Sequence, residues 1–198
     1  MSKIVKKLYK IVNETVFPPK CLVCRSFIDP PQSEENGYSS AVDLSLNIQS
    51  QVERLFAKYL CWNCIGGLVV VESPLCSCCG LPFESRQGID HRCGDCSASP
   101  KKFRIARAPL VYEQIFTEVI HCYKYKGKIQ LARPLAELLL TALKLFWDKD
   151  SIDVEVPVPL HLKRLRKRGV NQVYLVILHW QTIEGHGELE LRELQLER

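Results

Sequence analysis

Cysteine spacing is the feature that most restricts the structures this chain can form. The sequence has ten cysteines, and eight of them fall into Cys-x-x-Cys pairs within its first half. Two residues between thiolates allow one tight turn to present both sulfurs to the same ion, so four such pairs supply the ligands of two tetrahedral Zn²⁺ sites. The sequence therefore predicts two structural zinc ions, with the ligands Cys21, Cys24, Cys61, Cys64, Cys76, Cys79, Cys93 and Cys96.

The pairing of these cysteines is open on spacing alone. Consecutive pairs can share an ion, or the pairs can interleave in a cross-brace. The gap of 13 residues between Cys79 and Cys93 favours consecutive pairing. Cys78 would allow another register within the third pair. Gly80 favours Cys76 with Cys79, because a glycine directly after the second cysteine can take the positive φ that such a turn often needs.

Disulfides are the rival interpretation of the cysteines. The basic residues 1–12 contain apolar residues that never form an uninterrupted run, so we recognise no secretory signal there. We therefore expect a cytoplasmic protein with reduced thiols, which favours metal over disulfides. The formal net charge of +5 suggests anionic partners. No apolar run approaches the length of about 18 residues that a membrane span needs, so we expect none.

Hydrophobic periodicity divides the chain further. Residues 1–19 predict an amphipathic helix that packs on the core, with a membrane surface as the alternative. Residues 29–50 are polar and predict an exposed insertion within the first zinc site. From residue 101 onwards, the predicted elements are strands at 103–112 and 152–160 and helices at 113–125, 129–147 and 171–184. This order is typical of an α/β layer with a parallel sheet, and we expect it to follow a small zinc-ribbon domain.

A basic segment after the second predicted strand, which we predict to form a loop, is the candidate ligand site. Five cationic residues lie between Lys163 and Arg168, and Gly169, Asn171 and Gln172 follow them. Ligands of open α/β sheets bind outside the carboxyl ends of the strands, and arginine side chains match phosphate oxygens. The segment therefore predicts a phosphate site. The alternatives are a solvated basic loop and a general nucleic-acid-binding patch.

Three stretches of the sequence carry a family resemblance. They are the four cysteine pairs with Cys79-Gly-Leu-Pro-Phe83, the segment Tyr123-Lys-Tyr-Lys-Gly127 with Leu131-Ala-Arg-Pro-Leu135-Ala136, and the segment from Val156 to Gln172. In these the chain resembles the ComF family of competence-related proteins, which join a double zinc ribbon to a type I phosphoribosyltransferase-like domain. The resemblance implies a double zinc ribbon at 20–98 and the transferase-like region at 101–198.

The resemblance also implies ligands and partners. It implies a phosphoribosyl pyrophosphate-like ligand, with Mg²⁺ bound mostly through its phosphates, and a helicase partner in DNA uptake. The implied pyrophosphate contacts are Lys126, Pro159, Lys163, Arg164, Arg168 and Asn171.

The sequence departs from the transferase pattern in one respect. The family's enzymes carry two acidic residues followed by a Thr/Gly-rich loop for the ribose phosphate, and no such motif occurs in this chain. We therefore expect a truncated and inactive phosphoribosyltransferase-like protein, and we assign no catalytic residue. The alternative is a zinc-ribbon module that binds single-stranded nucleic acid or a partner protein.

Overall fold

Helices make up the regular secondary structure of the residues that the structure describes. The structure is a computed structural model, and it describes residues 18–28, 47–85, 87–147, 152 and 154–184. The α-helices are α1 (Ile48–Phe56), α2 (Trp62–Gly66), α3 (Gly94–Ala98), α4 (Gln114–Tyr125), α5 (Ala132–Phe146), α6 (Leu162–Arg168) and α7 (Gln172–Glu184), and a 3₁₀ helix (Ile129–Leu131) leads into α5. The predicted helix at 1–19 lies outside the described residues apart from its last two positions, as does most of the insertion at 29–50.

Helix α5 is the centre of the main core. It packs against both α7 and α1. Leu131, Leu135, Leu138 and Leu140 are buried at this contact, as the helical periodicity of the segment predicts for three of the four. The same periodicity places Leu139 on the inward face, but Leu139 is 42% exposed, and Leu140 is buried in its place. Helix α5 has a neighbouring helix on each of two sides. The residues that face these two helices are the ones that become buried.

A buried polar group joins α1 to α5. The Thr141 hydroxyl donates a hydrogen bond to Gln51 Oε1 at 3.1 Å. Glu137 is only 2% exposed, and its carboxylate lies 3.6 Å from Arg54 and 3.1 Å from Arg133. A buried carboxylate without partners would be costly, so these two arginines are what make the position tolerable.

The parallel sheet that the sequence predicts is not formed by the described residues. The predicted strand at 103–112 contributes only an isolated antiparallel bridge, between Val70 and Leu110. Residues 154–160 form no regular secondary structure, and Val154, Val156 and Val158 are all exposed. A strand needs a neighbouring backbone to take up its amide and carbonyl groups, and the described residues offer none to this segment. The alternating valines do not by themselves show whether such a neighbouring backbone exists.

The two groups of cysteines relate differently to the core. Cys21 and Cys64, together with Leu22 and Ile65 beside them, are buried in the main core with α1, α4, α5 and α7. The second group belongs to a small separate cluster of buried residues that contains Cys76, Cys78 and Cys96. Apolar packing therefore stabilises the first group far more than the second. The second group depends more on a link between its sulfurs, such as coordination to a shared metal ion.

Candidate metal centres and basic surface

The first cluster of sulfurs is formed by a tight turn and the start of a short helix. Its members are Cys21, Cys24, Cys61 and Cys64, whose Sγ atoms all lie within 4.8 Å of one another. In the turn, the Arg25 amide donates to the Cys21 carbonyl at 3.1 Å, and Arg25 takes a positive φ of 66°. Cys61 is the N-cap residue of α2, so the first helical turn places Cys64 beside it.

The second cluster repeats this design. Its members are Cys76, Cys79, Cys93 and Cys96, again with all Sγ atoms within 4.8 Å. Cys93 is the N-cap residue of α3, which places Cys96 one turn later. The structure thus groups consecutive pairs, the arrangement that the spacing favours, and each cluster combines one turn with one helix start.

Gly80 closes the turn of the second cluster. Its amide donates to the Cys76 carbonyl at 2.9 Å, and its φ is +72°. A Cβ atom at this position would lie 2.5 Å from the carbonyl oxygen of Ala106. Glycine is therefore needed here both for the left-handed conformation and for the close approach of the 104–107 segment.

The thiols of the first cluster differ in pKa. A hydrogen bond with the Ser26 hydroxyl lowers the pKa of Cys24 to about 6 and also lowers the pKa of Cys61. Burial raises the pKa of Cys64. The cluster thus favours thiolates on its exposed side, and the buried thiol loses its proton only if a cation compensates the added charge.

The second cluster also contains thiols with lowered and with raised pKa values, although Cys76 and Cys96 are both buried. Burial acts to raise the pKa of Cys76, but hydrogen bonds from the amides of Cys93 and Cys79, both at 3.4 Å from its sulfur, outweigh burial and lower that pKa to about 5. Burial raises the pKa of Cys96. Four thiolates at this separation would repel one another strongly, so full ionisation calls for a bound divalent cation.

The geometry of both clusters fits zinc. A tetrahedral ion with Zn–S bonds of about 2.3 Å holds its sulfurs about 3.8 Å apart. The sulfurs of Cys24 and Cys61 are 3.5 Å apart, and those of Cys79 and Cys93 are 3.8 Å apart. The two groups can therefore hold two zinc ions. Because four thiolates fill the coordination shell, such ions stabilise structure and leave no open position for catalysis.

The cysteines outside the clusters have other surroundings. Cys78 is buried next to the second cluster, but its sulfur is not among the four that converge. The Cys122 thiol, which lies in α4, donates to the Leu22 carbonyl at 3.4 Å. This contact fastens the first cysteine turn to α4.

The structure brings the two basic segments of the sequence together. The Tyr123 hydroxyl, at the end of α4, donates to the Gln172 carbonyl at 2.6 Å, and Gln172 Nε2 donates to the Lys124 carbonyl at 3.4 Å. The Arg168 guanidinium lies over the Tyr125 ring, 4.7 Å from its centroid. The segment from Lys124 to Lys128 and helix α6 therefore border one surface, which we call the basic surface.

The predicted phosphate contacts are distributed unevenly over this surface. Lys163 and Arg164 are exposed on α6, a helix without buried residues that replaces the loop expected there. Pro159 is exposed before this helix. Arg168 is half-buried between Tyr125 and Gln172, and its guanidinium donates to Gln172 Oε1 at 3.1 Å.

Two of the predicted contacts have structural partners. Lys126 is paired with Glu118 at 3.1 Å, and this hydrogen bond raises the pKa of Lys126 and lowers that of Glu118. The side chain of Asn171 accepts a hydrogen bond from the Val173 amide at 3.1 Å, as a helix cap does. Sequence reasoning did not detect these local roles, nor the contribution of Ser26 to the first cluster. A hydroxyl two residues after a ligand was the available signal for Ser26.

The described residues contain no further cluster of side chains that could hold a cation. In the part of the chain that the structure describes, the two cysteine clusters are the only groups of three or more His, Cys, Asp or Glu side chains close enough to hold an ion. Mg²⁺, which the resemblance implies would bind mostly through ligand phosphates, therefore has no support from protein ligands there. Of the helices described, none combines the length and apolar character required to cross a bilayer.

The fold and the clusters define a class of protein with two four-cysteine centres next to a helical core and a basic surface. Among known proteins, the chain is similar to competence protein ComFC of Bacillus subtilis (strain 168), with 26% identity over 152 residues. The match covers 70% of this chain and 61% of ComFC, so the chain spans less than two thirds of that protein's length. No family model and no solved structure matches the chain. The similarity supports the resemblance to ComF proteins.

Proposed function

We propose that this chain is a zinc-stabilised, ComF-type protein of DNA uptake whose basic surface binds single-stranded nucleic acid. The similarity to a competence protein supports the biological role. The observation that carries the binding activity is the position of the Arg168 guanidinium over the exposed ring of Tyr125, between two lysine- and arginine-rich segments. Proteins that bind single strands combine cationic side chains for phosphates with aromatic rings for bases.

The exposed side chains of α6 suit contact with a phosphate backbone. Lys163, Arg164, Arg166 and Lys167 are all exposed, and the helix buries none of its residues. A helix that buries none of its residues and carries five cations is poorly explained by packing. Its side chains are free to approach phosphates, and the release of counterions would drive binding.

In this proposal the zinc ions are structural. They hold the cysteine turns in place, and the first turn is fastened to α4 beside the basic surface through the contact between Cys122 and Leu22. Ions bound by thiolates require reduced cysteines, in keeping with a cytoplasmic protein. A DNA-uptake helicase is the proposed protein partner.

A binding titration tests the main proposal. Fluorescence anisotropy with a labelled single-stranded oligonucleotide should show an affinity that falls steeply with salt, with a slope of about −3 if four phosphates are neutralised. The double variant Arg164→Glu, Lys167→Glu should weaken binding and reduce the salt slope. The control variant Lys101→Glu, Lys102→Glu makes the same change in net charge on an exposed segment elsewhere and should bind normally. Absent or salt-insensitive binding by the unaltered protein would refute the proposal.

A phosphoribosyl pyrophosphate-like ligand is the second candidate for the same surface. It is favoured by Gly169, which has a φ of +77° between α6 and α7 and open space where a Cβ would lie, so that an anion can approach the backbone closely. Isothermal titration calorimetry with phosphoribosyl pyrophosphate, with and without Mg²⁺, tests this candidate. If the ligand binds and displaces the oligonucleotide, the two share one surface. If no heat is detected, the second candidate is excluded.

A further inference from the structure

A shallow cavity beside the first cysteine cluster is flanked by two exposed aromatic rings. The cavity has a volume of about 280 Å³, and Phe27 and Trp62 line it. These side chains are 61% and 64% exposed. Buried apolar residues, among them Ile28, Leu60 and Ile65, also line it. Neither ring therefore contributes much to the core, although the core lies directly beside both.

The backbone on which these rings stand is held in position by the cluster. Trp62 directly follows Cys61, and Phe27 lies three residues after Cys24. Lys20 and Phe27 form an antiparallel bridge across the turn. A ring presented from a fixed backbone loses little conformational freedom when it binds a ligand, so such a pair is well suited to recognition.

Two cationic side chains lie beside residues that line the cavity, whereas the first cluster, whose Cys61 also lines it, would carry a net negative charge as four thiolates around one Zn²⁺. The Lys20 ammonium lies 5.3 Å from the centroid of the Phe27 ring. Arg25 is exposed in the same turn. The hydrogen bond that Lys126 donates to Glu118 raises the pKa of Lys126, while the charge of Arg25 opposes that rise, as expected if Arg25 lies near the basic surface. The Cys122–Leu22 hydrogen bond fixes the turn at that place independently.

We propose that Phe27 and Trp62 form a second contact for single-stranded nucleic acid, in which the rings stack on bases of a strand that continues from the basic surface past Arg25. This inference rests on the proposed function and adds a separate subsite to it. Every base offers a flat face to an aromatic ring, so the contact would tolerate any sequence. Asn63, which is exposed and lines the cavity, is placed to donate to or accept from a base edge.

The alternative occupant is an apolar side chain of a partner protein. Exposed rings around an apolar cavity would suit it equally well. The polyanionic strand is favoured by Lys20 and Arg25, which neighbour residues that line the cavity, and by the position of the Arg25 turn beside the basic surface. The alternative is kept as an outcome of the test.

The test compares aromatic variants in oligonucleotide binding. The variants Phe27→Ala and Trp62→Ala are titrated with labelled oligothymidylate of about 20 nucleotides, a length greater than the site size of a typical single-strand-binding fold. Each should weaken binding about five- to hundredfold, with an unchanged salt slope, because stacking involves no counterions. Trp62→Phe should restore most of the affinity. The control Phe103→Ala removes an exposed ring that does not line the cavity and should bind normally. Zinc content is measured for each variant, so that loss of the cluster is detected.

Tryptophan fluorescence gives an independent readout. Trp62 is the most exposed of the three tryptophans, so stacking should quench the emission of the unaltered protein and leave Trp62→Phe nearly unaffected. If the unaltered protein binds the oligonucleotide but both alanine variants retain its affinity and no quenching occurs, the inference is wrong, and the cavity is better explained by a protein partner. If the unaltered protein does not bind the oligonucleotide at all, the proposed function fails and the inference fails with it.

Discussion

The hydrogen bond from Tyr123 to α7 gives the sharpest test of how the basic surface is assembled. Tyr123 is 4% exposed, and its hydroxyl donates to the Gln172 carbonyl at 2.6 Å. Phenylalanine would fill the same space and leave that carbonyl without this donor. Loss of a buried hydrogen bond costs about 1–3 kcal/mol. The lower end applies here, because the other lone pair of a carbonyl in the first turn of a helix is used within the helix.

We therefore expect Tyr123→Phe to lower the free energy of unfolding by about 1–1.5 kcal/mol at neutral pH. For a chain of this size, such a loss lowers the melting temperature by about 2–6 °C. The control is Tyr112→Phe, because Tyr112 is 57% exposed and its hydroxyl can be solvated by water. Thermal unfolding followed by circular dichroism measures both variants.

The pH dependence strengthens this test. Burial raises the pKa of Tyr123 from 10.0 to about 12, so the folded state favours the neutral phenol. The resulting stability is fully present below pH 10, and it is lost as the pH rises from 10 towards 12. The loss amounts to about 2–3 kcal/mol over this interval and does not occur in Tyr123→Phe.

The two stability curves should therefore cross. Below pH 10 the unaltered protein is the more stable, and near about pH 11 its loss equals the cost of the substitution. Urea unfolding of both proteins between pH 8 and about 11.5 locates the crossing. Equal stabilities at every pH, or an equal effect from Tyr112→Phe, would refute the reasoning.

Three further predictions concern the second cysteine cluster and the core. Cys76→Ser should reduce bound zinc from two ions to one per chain, whereas Cys78→Ser should retain both, as measured by elemental analysis, because only the Cys76 sulfur converges with the other ligands. Gly80→Ala should weaken zinc retention against a chelator and destabilise the cluster by about 1–3 kcal/mol, since it strains a positive φ and places a Cβ against the Ala106 carbonyl. If this variant retains zinc as well as the unaltered protein does, then Gly80 does not approach the Ala106 carbonyl as closely as the structure indicates. Leu138→Ala, at a position 1% exposed in α5, should cost about 2–5 kcal/mol in urea unfolding and leave both zinc ions bound.

Spacing was enough to predict the two cysteine clusters. A Cys-x-x-Cys pair is a local motif, and the turn or helix start that brings its sulfurs together needs no information from distant residues. The helices α4 and α5 were predictable for a similar reason, because their apolar residues recur with the helical period. The exposure of Leu139 was not predictable in this way. Periodicity places Leu139 near the edge of the apolar face of α5, but whether that edge is buried depends on where the neighbouring helices lie.

The strands and the basic segment were less predictable. Alternating valines at 154–160 indicate a strand, but a strand exists only with a partner, and the described residues contain none for it. The segment from Lys163 to Arg168 was expected to form a loop and forms α6, which His161 caps at its start and Gly169 ends in a left-handed conformation. The run of arginine and lysine has high helix propensity, and that local preference was underestimated.

The sequence by itself determined the chemistry of this protein: two sets of four thiols, a surplus of positive charge, and amphipathic helices able to cover one core. Each depends on residue type and short-range spacing. Only the tertiary structure decided which groups come into contact. Tyr123 and Gln172 are 49 residues apart, and Cys122 and Leu22 are 100 residues apart. Such contacts follow from how the helices pack and not from any local pattern. Those contacts join the basic segments into one surface and place the first cysteine turn at its edge.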